Sequence, residues 1–460
     1  MYLCRRISNQ TSHLLQDMFK KIITLAVAAL TGVSSALAWD YTPTEENLKA
    51  REQFRDHGFG IFLHWGIYSM LGQGEWAMET LRLPYAEYKN LASGFCPSEF
   101  NADEWVKAFK DAGAGYVTIT TRHHDGFSMF DTEASDYNIV DATPFKRDII
   151  KELAEACQRH GLKLHFYYSQ VDWGRDDYTP LGGSGHNAGR KLDGNWNDYM
   201  KFMDTQLTEL LTNYGLIGAI WYDGIWDKKG NDNDETAKIW NLQHQYELIH
   251  SLQPACLVGS NHHLTPFPGE DMQLFERDKP GENFAGYSAG QEVSSLPLET
   301  CQTMNGTWGF CPTDRAWKSP ETLIRLLVET AGKDANLLLN IGPRPNGTLP
   351  AESIDILKEI GQWMDTYGST VKGVRSTAVG AHEWGVTTHR DNTMYVHVLN
   401  DIEGPVFIPY TGNKLKGASM FVGGEKVPFT QSADGIIIKP GKKAPGVIDM
   451  VVELTFQNNI

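Results

Sequence analysis

The sequence has little cysteine, no excess of basic charge and, beyond its first 38 residues, no apolar run of membrane-spanning length. Its six cysteines include no CxxC pair, so the usual structural zinc motifs are absent. The formal net charge of −16 is spread along the chain, and a nucleic-acid partner is therefore not expected. No glycine-rich phosphate loop follows the first predicted strand, which argues against a nucleotide-binding fold.

The N-terminal segment has the pattern of an export signal. Lys20 and Lys21 precede an apolar core that ends in the small residues Ala36 and Ala38, as in a cleaved secretory signal peptide that begins at Met18. We therefore expect residues 1–38 to be a leader and signal peptide that is removed. The mature protein is expected to be periplasmic or secreted, without a transmembrane segment.

The cysteines of the expected mature chain are odd in number, and they are Cys96, Cys157, Cys256, Cys301 and Cys311. An oxidising compartment permits one short bridge, between Cys301 and Cys311. We expect free buried thiols instead and predict no disulfide.

The main part of the chain, residues 39–372, alternates short apolar runs with segments of helical period. Several of the predicted strands carry apolar residues at consecutive positions, as parallel strands buried on both faces do. About eight such units predict a (β/α)8-type barrel. Residues 254–313 lack a clear period, so strands six and seven cannot be delimited from the sequence.

The last part of the chain, residues 373–460, changes to a period of two. Runs such as "TMYVHVLN" and "VIDMVVELTF" alternate with Gly, Asn and Asp turns, and no helix is predicted. This pattern predicts a small C-terminal β-sandwich.

Polar and aromatic side chains recur where the predicted barrel strands end. The strand ends are "HWG", "TTRHHDG", "FYYS", "WYDG" and "SNHH". In a (β/α)8 barrel such residues lie together on one face, where active sites are found. Aromatic rings stack on the C–H faces of sugars, while His, Asn and carboxylates bond to hydroxyl groups. The combination favours a neutral, hydroxyl-rich ligand such as a sugar.

Cleavage of a glycosidic bond requires two carboxyl groups, one as acid and one as nucleophile or base. Asp223 stands at the tip of the apolar run "GAIWYD", where a rigid strand would hold it at the pocket mouth. For the second carboxyl group the spacing leaves five candidates, which are Glu270, Asp271, Glu276, Asp278 and Glu282.

Seven motifs resemble, in order, those of the α-L-fucosidases of glycoside hydrolase family 29. They are "HWG", "EW", "RHHDGF", "YYS", "WYDG", "ETCQTMNGTWGF" and "NLLLNIGPRPNG", and the resemblance runs from about residue 45 to residue 370. It implies a retaining exo-glycosidase that removes terminal α-L-fucosyl residues from glycans. A C-terminal β-sandwich is also expected in that family, and neither a metal nor an organic cofactor is required.

The resemblance assigns roles to residues of this chain. It makes Asp223 the nucleophile and Glu276, in "DMQLFE", the acid/base, with Glu282 as the reserve candidate. Trp308 stands where an aromatic ring contacts the C5 methyl group of the sugar. The other residues that match the fucose-binding set are His64, Glu75, Trp76, His123, His124, Tyr167 and Trp221.

The sequence also departs from the family pattern. No Arg stands at the place between nucleophile and acid where simple members use one to touch the sugar, and "SNHHLTP" occupies that region. His262 or His263 is expected to substitute, and we take His262 as the sugar contact. Leu298, where the family usually has Trp, precedes Glu299. These departures leave the linkage preference open.

Three other interpretations fit parts of the pattern. A retaining glycosidase for another deoxy or galacto-configured sugar would share the stereochemistry at C4. A non-catalytic sugar-binding protein would keep the aromatic residues and need neither acid. A metal hydrolase would use the two His pairs, although adjacent residues of a strand point to opposite faces. For the fucosidase, we expect a neutral Glu276 with a raised pKa and an ionised Asp223.

Overall fold

The computed structural model describes residues 39–402 and 404–460. The predicted leader and signal peptide lie outside the described residues. Eight parallel strands form the first sheet, and they are β1 (Phe59–Leu63), β2 (Tyr116–Arg122), β3 (Lys163–Ser169), β4 (Ala219–Asp223), β5 (Leu257–Ser260), β6 (Gln273–Glu276), β7 (Leu298–Thr303) and β8 (Ala335–Ile341).

The sheet is a nearly closed barrel, as the sequence predicts. Its order is β5-β4-β3-β2-β1-β8-β7-β6, so each strand lies beside its neighbour in the chain and β8 pairs with β1. Between β5 and β6 the carbonyl of Val258 accepts from the backbone N–H groups of Asp271 and Met272 at 2.7 and 3.3 Å. All residues of β1, β2 and β8 are buried, which explains the apolar runs of β1 and β8, whereas β2 also buries three threonines and Arg122.

Helices connect the strands, and most begin at a capping side chain. Asn101, Asp148 and Ser319 each accept a hydrogen bond from a backbone N–H of the first turn. The helices are α1 (Glu45–His57), α2 (Ala77–Thr80), α3 (Tyr85–Tyr88), α4 (Ala102–Asp111), α5 (Ile149–His160), α6 (Trp196–Thr212), α7 (Asn233–Ile239), α8 (Leu242–Leu252), α9 (Pro320–Ala331) and α10 (Ala351–Tyr367).

Residues 233–253 have a continuous helical period that predicts one helix, but they form two helices in the structure. Asn241 lies between α7 and α8 with φ 50° and ψ 42°, in the left-handed region. This conformation interrupts the helical backbone between α7 and α8. The apolar period continues across the break, so the sequence does not show it.

The C-terminal part has the predicted sandwich architecture. One antiparallel sheet contains β9 (Arg375–Ser376), β10 (Gly385–Arg390), β11 (Thr393–Val398), β13 (Leu415–Met420) and β16 (Met450–Phe456), and the other contains β12 (Val406–Ile408), β14 (Phe429–Gln431) and β15 (Ile436–Ile438). Val396 and Leu454 of the first sheet and Ile408 and Ile436 of the second belong to one buried apolar cluster. The two sheets therefore pack face to face around a common core.

The remaining general features concern thiols and membranes. The five cysteines of the described chain are all free, and Cys157, Cys256 and Cys301 are buried. Among the described residues, no helix combines the length and the apolar character that a membrane span requires.

Candidate active site

A cavity of about 500 Å³ opens at the C-terminal end of the barrel strands. It contains ten of the eleven residues predicted for the site, which are His64, Glu75, Trp76, His123, His124, Tyr167, Trp221, Asp223, Glu276 and Trp308. It also contains His263, the alternative to His262, and residues to which the sequence assigned no role, which are Phe62, Trp226, Asn261, Arg277, Cys301 and Tyr287.

Asp223 is the last residue of β4, and both of its carboxyl oxygens accept hydrogen bonds. The Tyr167 hydroxyl donates to Oδ2 at 2.9 Å, and the Trp226 indole N–H donates to Oδ1 at 2.7 Å. Gly224 follows with φ 122°, and a Cβ there would lie 2.8 Å from a Val171 methyl group. The glycine of "WYDG" therefore allows the chain to turn away directly after the carboxylate.

Glu276 ends β6 and lines the same cavity as Asp223. The Asn261 amide donates to Glu276 Oε2 at 2.9 Å, and the same side chain lies near enough to Asp223 to lower the pKa of that carboxyl group. Asn261 directly follows β5, the strand between β4 and the barrel closure. One amide therefore influences two carboxyl groups that are 53 positions apart in the chain.

The two carboxyl groups differ in acidity. Burial raises the pKa of Asp223 to about 6, against the opposing effect of its hydrogen bonds from Trp226 and Tyr167. The pKa of Glu276 is raised to about 7, chiefly by burial and also by the nearby charge of Asp223, against the opposing effect of the hydrogen bond from Asn261. Between these values Asp223 is ionised while Glu276 holds its proton, which is the division of roles that an acid and a nucleophile need.

His64 is held as a hydrogen-bond acceptor toward the cavity. Its Nδ1 lies 2.7 Å from Asn340 Oδ1, and the Asn340 amide donates to the Trp308 carbonyl at 2.7 Å. Because that bond fixes the amide orientation, Nδ1 carries the proton and Nε2 is left with a lone pair. Burial lowers the pKa of His64 to about 3, so the ring is neutral. Asn340, to which the sequence assigned no role, thus orients two cavity residues.

His123 and His124 both line the cavity, with ring centroids 4.1 Å apart. Both residues follow Arg122, the last residue of β2, and therefore lie outside the strand. Adjacent residues of a strand point to opposite faces, but this rule does not hold beyond the strand end. Burial holds the pKa of His123 well below its usual range and lowers the pKa of His124 to about 3. His123 stacks on Tyr167 at 5.4 Å.

Glu75 joins two loops of the cavity wall. Its carboxylate accepts the backbone N–H of Gly309 at 2.8 Å, next to Trp308. A Cβ at Gly309 would lie 2.6 Å from the Glu75 nitrogen, so only glycine permits this approach. Trp76 stacks on Trp226 with a centroid distance of 5.8 Å.

Glu299 lies beneath the cavity, behind Trp221. It accepts the Trp221 indole N–H at 2.8 Å and the Tyr116 hydroxyl at 2.5 Å, and burial raises its pKa to about 7. Leu298, where the family usually has Trp, packs in a small buried cluster with Phe275.

His262 lies outside the cavity, contrary to the expectation that it contacts the sugar. Its Nε2 lies 2.9 Å from Glu270 Oε1, and its Nδ1 accepts the Leu264 N–H at 3.0 Å. Both ring nitrogens are therefore occupied. The neighbouring His263 has a left-handed backbone, with φ 61°, and lines the cavity in its place.

An Arg does reach the cavity, although no family position predicted one. Arg277 follows Glu276 with φ 62°, and its guanidinium lies 4.9 Å from the centre of the Trp308 ring. The only feature of the sequence that indicates this position is that Arg277 directly follows Glu276, an acid at a strand end. The reserve acid Glu282 does not line the cavity and lies 3.5 and 3.4 Å from the ammonium groups of Lys279 and Lys333.

The described residues include no group of three or more His, Cys, Asp or Glu side chains that could hold a metal ion. The histidines of the cavity instead make hydrogen bonds and ring contacts with protein neighbours.

The comparisons with known proteins point to one family. The sequence model of the family described as Alpha-L-fucosidase matches residues 29–369. The α-L-fucosidase of Dictyostelium discoideum is 26% identical over 450 residues, covering 88% of this chain and 92% of that protein.

Solved structures agree. The α-L-fucosidase isoenzyme 1 of Paenibacillus thiaminolyticus is 32% identical with a TM-score of 0.78, covering 90% of this chain and 100% of that chain. A family 29 α-L-fucosidase of Bacteroides thetaiotaomicron, solved as a trapped covalent intermediate, is 25% identical with a TM-score of 0.76, covering 91% of this chain and 99% of that chain. This chain belongs to the α-L-fucosidase family, glycoside hydrolase family 29.

Proposed function

We propose that the protein is a retaining exo-α-L-fucosidase in which Asp223 is the nucleophile and Glu276 is the acid/base. The observation that carries the proposal is the pair itself. Asp223 and Glu276 end two barrel strands and line one cavity, Asn261 donates a hydrogen bond to Glu276, and the pKa of Glu276 is the higher of the two. Membership in a fucosidase family supports the substrate class.

In the first step, a carboxylate oxygen of Asp223 attacks C1 of the fucosyl group, and the bond from C1 to the glycosidic oxygen breaks. Glu276 gives its proton to the departing oxygen, so the leaving group departs as a neutral alcohol. In the second step, Glu276 takes a proton from water, whose oxygen attacks C1 and displaces Asp223. Two inversions give fucose with retained configuration, and both carboxyl groups return to their initial states.

The cavity suits a small 6-deoxy sugar that carries hydroxyl groups. The neutral His64 presents Nε2 as an acceptor, and the buried Glu75 offers carboxylate oxygens. The rings of Trp308 and Phe62, with centroids 6.1 Å apart, supply an apolar wall of the kind that a methyl group at C5 needs. The proposed partners are accordingly fucosylated oligosaccharides and glycoconjugates.

The roles can be separated by azide rescue with 4-nitrophenyl α-L-fucoside. Asp223→Ala should lower kcat by about a thousandfold or more, and azide should restore turnover with β-L-fucosyl azide as product, because azide replaces the nucleophile. Glu276→Ala should yield the α-azide instead, since azide then attacks the fucosyl enzyme. The wild type should release the α-anomer of fucose first, as observed by NMR. Initial release of the β-anomer would refute the retaining mechanism. If Asp223→Ala gave the α-azide and Glu276→Ala gave the β-azide, the assignment of the two residues would be refuted.

We further propose that the protein is exported and that residues 18–38 are its cleaved signal. The support is the sequence pattern alone, with Lys20 and Lys21 before an apolar core and Ala36 and Ala38 at its end. N-terminal sequencing of protein recovered from the periplasm or medium of a bacterial host should give a start near Trp39. Recovery of only the uncleaved chain from the cytosol would contradict this.

A further inference from the structure

An aromatic side chain borders the cavity on the side of the proposed acid. Tyr287, in the loop between β6 and β7, lines the cavity while 45% of its surface stays exposed. We propose that this loop forms a binding subsite for the sugar that leaves, with a pyranose ring stacked on Tyr287. The inference rests on the proposed function, because the acid defines the side on which the leaving group departs.

A chain of contacts links Tyr287 to the acid. Its ring stacks on His263 with a centroid distance of 5.3 Å and an interplanar angle of 21°. His263 Nε2 in turn lies 3.7 Å from Glu276 Oε2. A saccharide whose glycosidic oxygen is within reach of Glu276 would therefore lie near this pair of rings.

The loop that carries Tyr287 is held in shape before any ligand binds. The buried carboxylate of Asp278 accepts the backbone N–H groups of Phe284 and Ala285 at 2.7 and 2.8 Å and the Ser288 hydroxyl at 3.2 Å. The Asn283 side chain accepts the Ser288 N–H at 2.9 Å. A binding surface on such a loop loses little conformational entropy when a ligand is bound.

The same loop exposes a second aromatic ring. Phe284 is 89% exposed, although its backbone is fixed by Asp278. An aromatic ring that is exposed on an ordered loop does not stabilise the protein by burial. It is explained if Phe284 extends the Tyr287 surface for the ligand.

The chemistry of the surface favours a neutral sugar. Tyr287 and Phe284 offer ring faces for C–H stacking. Because burial lowers the pKa of His263 to about 4, this ring is neutral at the pH where Glu276 holds its proton.

The test compares two substrates that differ in the leaving group. The leaving group of α-L-fucosyl fluoride has no ring, whereas a fucosyl disaccharide presents a pyranose to the subsite. The disaccharide is chosen as the best wild-type substrate among the α1,2-, α1,3-, α1,4- and α1,6-linked isomers. Tyr287→Ala should lower the ratio of kcat/KM for the disaccharide to that for the fluoride by about tenfold, and Phe284→Ala by about threefold.

Two controls make the result specific. Tyr287→Phe keeps the ring and should leave the ratio within about twofold of the wild type. Phe407→Ala removes a ring of equal exposure, 45%, from the C-terminal sandwich and should leave the ratio unchanged. Since Phe284 is almost fully exposed, Phe284→Ala tests the subsite even if Tyr287→Ala fails to fold.

Each outcome is decisive. An unchanged ratio in the alanine variants overturns the subsite, as does an equal loss with both substrates. A loss confined to 4-nitrophenyl α-L-fucoside would also overturn it, because the surface would then hold an aryl group and not a sugar. If the wild type hydrolyses none of these fucosides, the proposed function itself fails, which is a distinguishable result.

Discussion

At the scale of single residues, the site depends on two carboxyl groups in different surroundings. Asp223 accepts hydrogen bonds on both oxygens, which favour its ionised form, while Glu276 accepts one from Asn261 and lies near a negative charge. The strand-end position of Asp223 could be predicted from the sequence. The choice of Glu276 among five acids of one segment depended on family resemblance, because spacing alone does not show which of them faces the cavity.

The pKa order predicts a bell-shaped dependence of kcat/KM on pH. Activity should rise as the pH passes about 6, where Asp223 ionises, and fall as it passes about 7, where Glu276 loses its proton. With 4-nitrophenyl α-L-fucoside the wild type should show this falling limb, whereas the slower turnover of Glu276→Gln should lack it. A falling limb that persists in Glu276→Gln would show that another group is the acid.

The Trp226 N–H should hold Asp223 in its ionised form. Trp226→Phe removes the donor at 2.7 Å but keeps a ring beside Trp76. Loss of a hydrogen bond to a charged group should lower kcat/KM by about tenfold or more. Because the ionised form loses support, the rising limb of the pH profile should also move to higher pH. A uniform loss of activity with an unmoved limb would show that Trp226 acts only through packing.

The positions of several other site residues could not be predicted from the sequence. The alternation of strand residues does not hold for His123 and His124, because β2 ends before them. The backbone is left-handed at His263 and at Arg277, and both side chains line the cavity. No sequence pattern predicts this backbone conformation. Tyr287 lies in a loop without any period, so only the folded chain brings it to Glu276.

At the scale of elements, apolar runs predicted six barrel strands because parallel strands buried on both faces have little polar sequence. Strands β6 and β7 were not delimited. β6 has only four residues and ends in Glu276, and β7 carries Glu299, Thr300 and Thr303 among its buried residues. Both strands carry polar residues because they border the site. The same polar residues interrupt the apolar pattern by which a buried strand is recognised in a sequence.

The break between α7 and α8 gives a prediction about the stability of these two helices. Asn241 is exposed and lies in the left-handed region, which Asn tolerates better than Ala does. Asn241→Ala should lower the free energy of unfolding by about 1 kcal/mol in urea titration, with unchanged kcat/KM. Asn241→Gly is the matched control and should be at least as stable as the wild type. Equal stability of the Ala variant would mean that the left-handed conformation is not required there.

At the scale of the whole molecule, we propose that residues 39–372 and 373–460 form two domains that unfold together. Arg325 of α9 donates to the Leu399 carbonyl at 2.6 Å and to Asn400 Oδ1 at 2.5 Å, and Thr388 of β10 donates to the Thr370 carbonyl at 2.7 Å. These contacts connect residues 373–460 to the part of the chain that forms the barrel.

Coupled unfolding is a calorimetric prediction. The chain should show one thermal transition, and Arg325→Leu should lower its Tm by about 2 °C or more without splitting it, since bonds from a charged group to the sandwich are lost. Two separate transitions in the wild type would contradict the coupling.

The measurement that tests the account most directly is the identification of the residue that becomes fucosylated. The protein is incubated with a 2-deoxy-2-fluoro-fucosyl fluoride, which slows hydrolysis of the covalent intermediate, and its peptides are analysed by mass spectrometry. The account predicts one label, on the carboxyl group of Asp223, and none in Asp223→Ala. A label on Glu276 or Glu75, or turnover of fucosides with no label on Asp223, would contradict it.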